Sequence, residues 1–132
     1  GNIFFFFFDL QFSNNGIDSI LIPNSGREGA NGNSEDRGKF KIPSLRNVEY
    51  SFPYMHDGRF KTLEEVIDHY DHGVKVNPNL DPRLRMFNSF NGQAQDLNLT
   101  DAQKKSLVDF LKTLSDPSIL TDVRFSNPFV PR

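Results

Sequence analysis

A chain of 132 residues has the length of one small domain. Fifteen Lys and Arg against seventeen Asp and Glu leave a net charge of −2, which gives no support to nucleic-acid binding, because phosphates are met by a basic surface. The sequence contains no cysteine, so disulfides, thiolate catalysis, zinc–thiolate sites and thioether attachment of a prosthetic group are excluded from it. With 36% hydrophobic residues the core is thin, and a chain this small gains much from a cofactor or a partner. No stretch approaches the ~20 apolar residues that span a bilayer.

In chain order, the start is apolar: Ile3 is followed by five Phe, from Phe4 to Phe8. The run is too short for the core of a secretion signal and has no basic residues before it. It reads as a strongly buried segment or as a self-association surface. Ser13-Asn14-Asn15-Gly16 reads as a turn, and residues 22–38, interleaved with Gly, Asn and Ser, as a loop. Pro43 to Val48 predicts a short helical turn with Pro at its first position.

A helix is expected from Thr62, with Glu65 completing a capping box. Leu63, Val66, Ile67 and Tyr70 share one face of it, and Gly73 stops it. Asp81-Pro82 starts another turn. Thr100 and Gln103 open a further helix with Leu107, Val108, Phe110, Leu111 and Leu114 on its apolar side, ended by Asp116-Pro117. Only Phe4 to Phe12 alternates like a strand. The fold class expected is mostly α with long loops. The single domain divides into a Phe-rich start (1–21), a loop (22–38), a motif-bearing helical part (39–116) and a tail (117–132).

The motif-bearing part contains Gly38-Lys39-Phe40-Lys41-Ile42-Pro43-Ser44-Leu45-Arg46-Asn47-Val48, then Pro53-Tyr54-Met55-His56-Asp57-Gly58-Arg59-Phe60 and Thr62-Leu63-Glu64-Glu65-Val66. It resembles the C-terminal haem domain of the bacterial di-haem cytochrome c peroxidases, a family that includes the methylamine-utilisation di-haem enzymes. The resemblance covers roughly residues 8–115. It implies a partial class I cytochrome c-like domain in which haem c would hang from a Cys-x-x-Cys-His motif. This chain has no such motif, and its three histidines all lie in later segments. The segment Asp9 to Gly16 is similar to the one just after the attachment motif in the family, so the first helix reads as lost and the domain as truncated.

The resemblance implies Tyr70 as the distal axial ligand of that haem, where many members use Met. A thioether raises the potential of the iron. A phenolate, whose parent phenol ordinarily ionises near ~10, is an anionic donor and favours oxidised iron; the metal charge drives its deprotonation. The structural alternative is a Tyr closing an apolar helix face. Met55 and Met86 are the only thioethers, and Met55, where the family has an aromatic residue, reads as core filler. The resemblance places His56 near the haem and the domain interface; a tight Asp57-Gly58 turn is the plainer reading. Arg46 and Arg59 offer planar forks for haem propionates or an interdomain carboxylate, or are solvated surface residues. The backbone carbonyls of Ser51 and Pro53 are implied calcium ligands. No residue is read as catalytic.

Asp68, His69, Asp71 and His72, with His56-Asp57 upstream, also match part of a His…His-Asp…Asp metal-hydrolase set, but the set lacks its first histidine. The function expected is therefore the electron-transfer haem half of a di-haem cytochrome c peroxidase, inactive alone. Its implied partners are the missing N-terminal haem domain and a small electron-donor protein, and its implied location is the periplasm. The alternative is a haem-free structural module that associates with itself through the Phe-rich start.

Overall fold

The computed structural model describes residues 12–19, 26–86 and 93–126. The Phe run, its expected burial or self-association, and nearly all of the Phe4 to Phe12 strand lie outside the described residues. The end of that strand is seen: β1 (Phe12–Ser13) pairs antiparallel with β2 (Phe40–Lys41), Phe12 opposite Lys41 and Ser13 opposite Phe40.

Residues 26–38 of the expected loop are ordered by side chains. They carry a one-turn helix α1 (Glu28–Asn31) and a 3-10 turn (Ser34–Asp36). Arg37 donates two bonds to the Glu28 carboxylate, at 2.7 and 2.6 Å. Asp36, itself buried, accepts from Asn31 at 2.7 Å and pairs with Arg27 and Lys39, each at 3.2 Å. These donors hold its carboxyl below the usual range. The Arg27 guanidinium lies 4.7 Å from the centre of the Phe12 ring, which ties this loop to β1.

Both capping boxes form. Helix α2 (Leu63–Asp68) opens with Thr62 Oγ1 accepting from the Glu65 N–H at 3.2 Å, while the Glu65 carboxylate accepts from the Thr62 N–H at 3.1 Å. Helix α3 (Asp101–Lys112) opens the same way on Thr100 and Gln103. The two helices pack on each other, and Leu63, Ile67 and Val108 form the buried cluster, with Val48, Tyr54, Leu99 and Leu111 around it. The α2 pattern continues toward Gly73 as expected, but residues His69–Gly73 widen into a π-helical turn.

The helical turn expected at Pro43 to Val48 is displaced. It forms at Val48–Tyr50, entered through Asn47 at φ 58°. Asn47 is held there by α3's exit: its N–H donates to the Leu114 carbonyl at 3.0 Å, and its side chain accepts from the Asp116 N–H at 2.7 Å. Asp81 caps the turn Pro82–Leu84, as its sequence predicts.

Polar groups close the remaining side. Asn14 and Asn77, both buried, exchange reciprocal amide bonds of 3.1 Å. Asn77 also donates to the Asp18 carbonyl at 3.1 Å and accepts from the Asn79 N–H at 3.1 Å. Gly16, at φ 67°, brings its carbonyl to the Lys75 N–H at 2.6 Å; a Cβ there would lie 2.6 Å from Val74 and 2.8 Å from Leu80.

Candidate functional site: an apolar cleft beside the widened helix end

A cleft of about 700 Å³ opens beside α2. Leu63, Val66 and Tyr70 of the helix face it, as their spacing predicts. The stretch from Phe40 to Leu45 forms one wall, and Val48, Pro53, Tyr54 and Met55 another. Residues 42–45 stay irregular and exposed, presenting Ile42 and Leu45 to the opening instead of coiling into the expected turn.

Tyr70 stands on the π-helical turn, its ring edge-on to His69 with centroids 5.1 Å apart. Among the described residues its hydroxyl makes no hydrogen bond. Tyr54, on the same cleft, differs: its hydroxyl donates to the Val48 carbonyl at 3.0 Å, and burial raises its ionisation above the ordinary value. Of the two phenols, one is committed to the backbone and the other is available to a ligand.

His56 lines the cleft with its imidazole stacked on Phe40, centroids 3.9 Å apart and planes within 11°. Arg59 does not line it. Its guanidinium is shared between Asp57, at 2.7 and 2.6 Å, and Asp18, at 3.1 Å on both oxygens. That engagement is the physical reason it is not free for a propionate. Arg46 is exposed and also lies off the cleft. Ser51 and Pro53 are at the exposed rim; the Ser51 hydroxyl donates to the Val48 carbonyl at 2.9 Å.

The structure adds residues that sequence reasoning did not select. Arg83, a cleft residue, holds Asp81 by bonds of 2.8 and 2.6 Å, and with Ser13 keeps that carboxyl well below the usual range. Lys41 brings a second cation to the cleft. Asn15 reaches across it: its amide donates to the Met55 sulfur at 3.1 Å, and its carbonyl lies 2.9 Å from His69 Nε2. A carbonyl only accepts, so Nε2 carries the proton there. Burial pushes the His69 pKa down, against the pull of the Asn15 carbonyl, and Arg59 and Lys75 push it further. Asn15 lay within the Ser13 to Gly16 turn signal and the Asp9 to Gly16 segment of the resemblance, but neither singled it out.

The acidic and histidine residues of the widened turn are spent on structure. Asp71, buried, accepts the Leu99 N–H at 2.9 Å and pairs with Lys104 at 2.8 Å; Lys104 also reaches Asp68 at 2.7 Å. These donors hold the Asp71 carboxyl far below its ordinary value. His72 is exposed, 3.2 Å from Asp71. Among the described residues no group of three or more His, Cys, Asp or Glu is placed to hold a metal ion. The metal-hydrolase pattern is thereby not assembled.

The cleft suits haem in size and character. Binding pockets run ~300–1,000 Å³ with mainly apolar walls and few polar groups. Here the walls are apolar, Tyr70 supplies an unengaged oxygen donor and Lys41 a cation, while the Arg83 guanidinium is committed to Asp81. Thioether attachment has no residue to use, since the sequence has no cysteine. Among the described residues no helix is long and apolar enough to cross a membrane.

No family model matches the chain. Individual proteins do. Cytochrome-c peroxidase IdrP1 of Denitromonas iodatirespirans is 37% identical over 101 residues, 75% of this chain and 24% of that protein. Methylamine utilization protein MauG of Methylorubrum extorquens is 36% identical over 83 residues, 62% of this chain and 21% of its own length. The crystal structure of a MauG-like protein associated with microbial copper homeostasis superposes on 91% of this chain and 39% of its own, with 38% identity and a TM-score of 0.67. The likeness supports a cytochrome-like fold. The chain spans about a quarter of the length of the curated relatives it matches. It belongs to the family of bacterial di-haem cytochrome c peroxidases and methylamine-utilisation di-haem proteins, and its 132 residues contain no Cys-x-x-Cys-His motif.

Proposed function

We propose that this chain is the electron-transfer haem half of a di-haem peroxidase-type protein, a partial class I cytochrome c domain working beside a second, peroxide-reacting haem domain in the periplasm. The observation that carries the reading is the unengaged Tyr70 hydroxyl on an apolar cleft of about 700 Å³. When bound, haem supplies the one-electron chemistry. The chain's own part is to hold and surround it. Tyr70 would present its oxygen as a donor. Leu63, Val66 and Leu111 keep water from that donor. Lys41, exposed on the cleft, would meet a carboxylate of the macrocycle, in the role expected of Arg46 and Arg59. His56 stays stacked on Phe40 as a flat wall. Held in this way, haem is retained by ligation and burial alone.

Calcium at the Ser51 and Pro53 carbonyls is left out of the proposal, because no carboxylate cluster joins those carbonyls among the described residues. Peroxide reduction is assigned to the assembled protein, and the chain alone is expected to turn over no peroxide.

The test is a haem titration of the chain followed at the Soret band, beside Tyr70→Phe. A saturable shift at one haem per chain, altered by the substitution, supports the reading. An identical unsaturable shift in both, with a mass in solution that grows with concentration, supports the haem-free self-association module instead. The exposed Leu45 and Phe52 beside the cleft favour that second reading.

A further inference from the structure

Three side chains on the cleft carry atoms that ligate iron well: the Tyr70 oxygen, the Met55 sulfur and the His56 imidazole, whose ring is stacked flat on Phe40 with centroids 3.9 Å apart. They are not equally available. The Asn15 amide donates to the Met55 sulfur at 3.1 Å, while the Tyr70 hydroxyl has no partner among the described residues. Asn15 is itself held in place, because its carbonyl accepts the His69 Nε2–H at 2.9 Å and its neighbour Asn14 is locked to Asn77. His69 is the residue before Tyr70 and packs edge-on against its ring. One short segment thus restrains the sulfur and braces the turn that presents the oxygen.

We propose that Asn15 is a specificity-determining residue of the cleft: its side chain withholds the Met55 thioether from a bound haem and leaves Tyr70 as the axial donor. The inference rests on the haem reading above. It assigns Asn15 a positioning role and no contact with the iron. A thioether in place of a phenolate would raise the reduction potential of the iron, so the amide sets the redox character of the site by choosing which donor is free.

The test uses the full chain loaded with haem, read by its ferric charge-transfer bands and its reduction potential. Met55→Leu is expected to leave the phenolate-to-iron band in place, since the sulfur is not a ligand. Tyr70→Phe is expected to lose that band and gain no thioether-to-iron band, because Asn15 still holds the sulfur. Asn15→Leu combined with Tyr70→Phe is expected to gain the thioether band and a higher potential than Tyr70→Phe alone. Both gains should vanish when Met55→Leu is added.

The proposal is overturned if Tyr70→Phe alone acquires the thioether band, if Met55→Leu removes the band of the parent chain, or if the combined variant binds haem without a thioether band. The Asn15 carbonyl that meets His69 survives substitution of the side chain. Should the combined variant nonetheless lose its far-ultraviolet circular dichroism, the two single variants still decide. Absence of saturable haem binding in the parent chain is a different outcome, which removes the function proposed above together with this inference.

Discussion

The flank of the molecule around Asn14 and the cleft beside α2 are built on opposite terms. On the flank, buried Asn14, Asn77, Glu28 and Asp36 each find partners within the chain, and the apolar content is small. In the cleft, apolar side chains from α2 and from residues 40–48 face one another across open space, with Ile42 and Leu45 exposed. The flank closes on its own partners, whereas the apolar walls of the cleft stay open. Rigidity thus sits in hydrogen bonds and ion pairs, and the unmet hydrophobic contact is where a ligand contributes most.

The largest effect that would sharpen this contrast is expected at Asn77. Asn77→Ala removes both amide bonds to the buried Asn14, the bond to the Asp18 carbonyl and the bond from the Asn79 N–H, leaving the Asn14 oxygen with the Gly16 N–H and the Asn14 nitrogen with the Arg37 carbonyl at 3.4 Å. A typical hydrogen bond contributes about 0.5–1.5 kcal/mol net, so for these four a loss of roughly 3 kcal/mol is expected in urea denaturation. The loss should be the same with and without haem. A loss that haem rescues in full would mean the flank and the cleft are one cooperative unit, and the comparison would fail.

Acid comes next, and it acts on the polar groups alone. His69 has a folded pKa below its unfolded value, as do Asp36, Asp71 and Asp81. For each, the unfolded chain binds the proton more readily. The stability they contribute is therefore present above the unfolded pKa and lost as pH falls through the folded one. Thermal melts should hold steady toward neutral pH, decline below about 6.5 as His69 is asked to charge, and fall again below about 4 as the aspartates are protonated. His69→Gln should remove the upper decline and keep the lower; Asp71→Asn should blunt only the lower. A melting temperature indifferent to pH from 7 to about 3 would show that these pairs are not what holds the fold.

How much of this was legible in the residues depends on the range of the forces involved. The starts of α2 and α3 were readable because a capping box is complete within four residues, Thr62 with Glu65 and Thr100 with Gln103. The same holds for Asp81 before Pro82. The displaced turn at Pro43 was not, because Asn47 answers to Leu114 and Asp116, which no local pattern announces. The site divides likewise. Tyr70 was visible through motif and helix phase. Asn15 was invisible, since its contacts are with Met55 and His69, 40 and 54 positions away. Arg59 read as a free cation and is committed to Asp18, 41 positions upstream.

The smallest expected effect tests where the contrast stops. Lys105 and Asp109 pair at 2.6 Å one helical turn apart on α3, with both side chains more than half exposed. The pair resembles the flank in chemistry and differs from it in solvation. Exposed i,i+4 pairs contribute only about 0.3–0.5 kcal/mol and are screened by salt. Lys105→Ala should therefore shift the urea midpoint by an amount near the limit of measurement, and by less still in high salt. Asp71, which reaches Lys104 from a buried position, should keep its influence in the same salt. Equal salt sensitivity of the two would mean that burial does not separate them. Polar bonding as such would then carry the flank, independent of its removal from water.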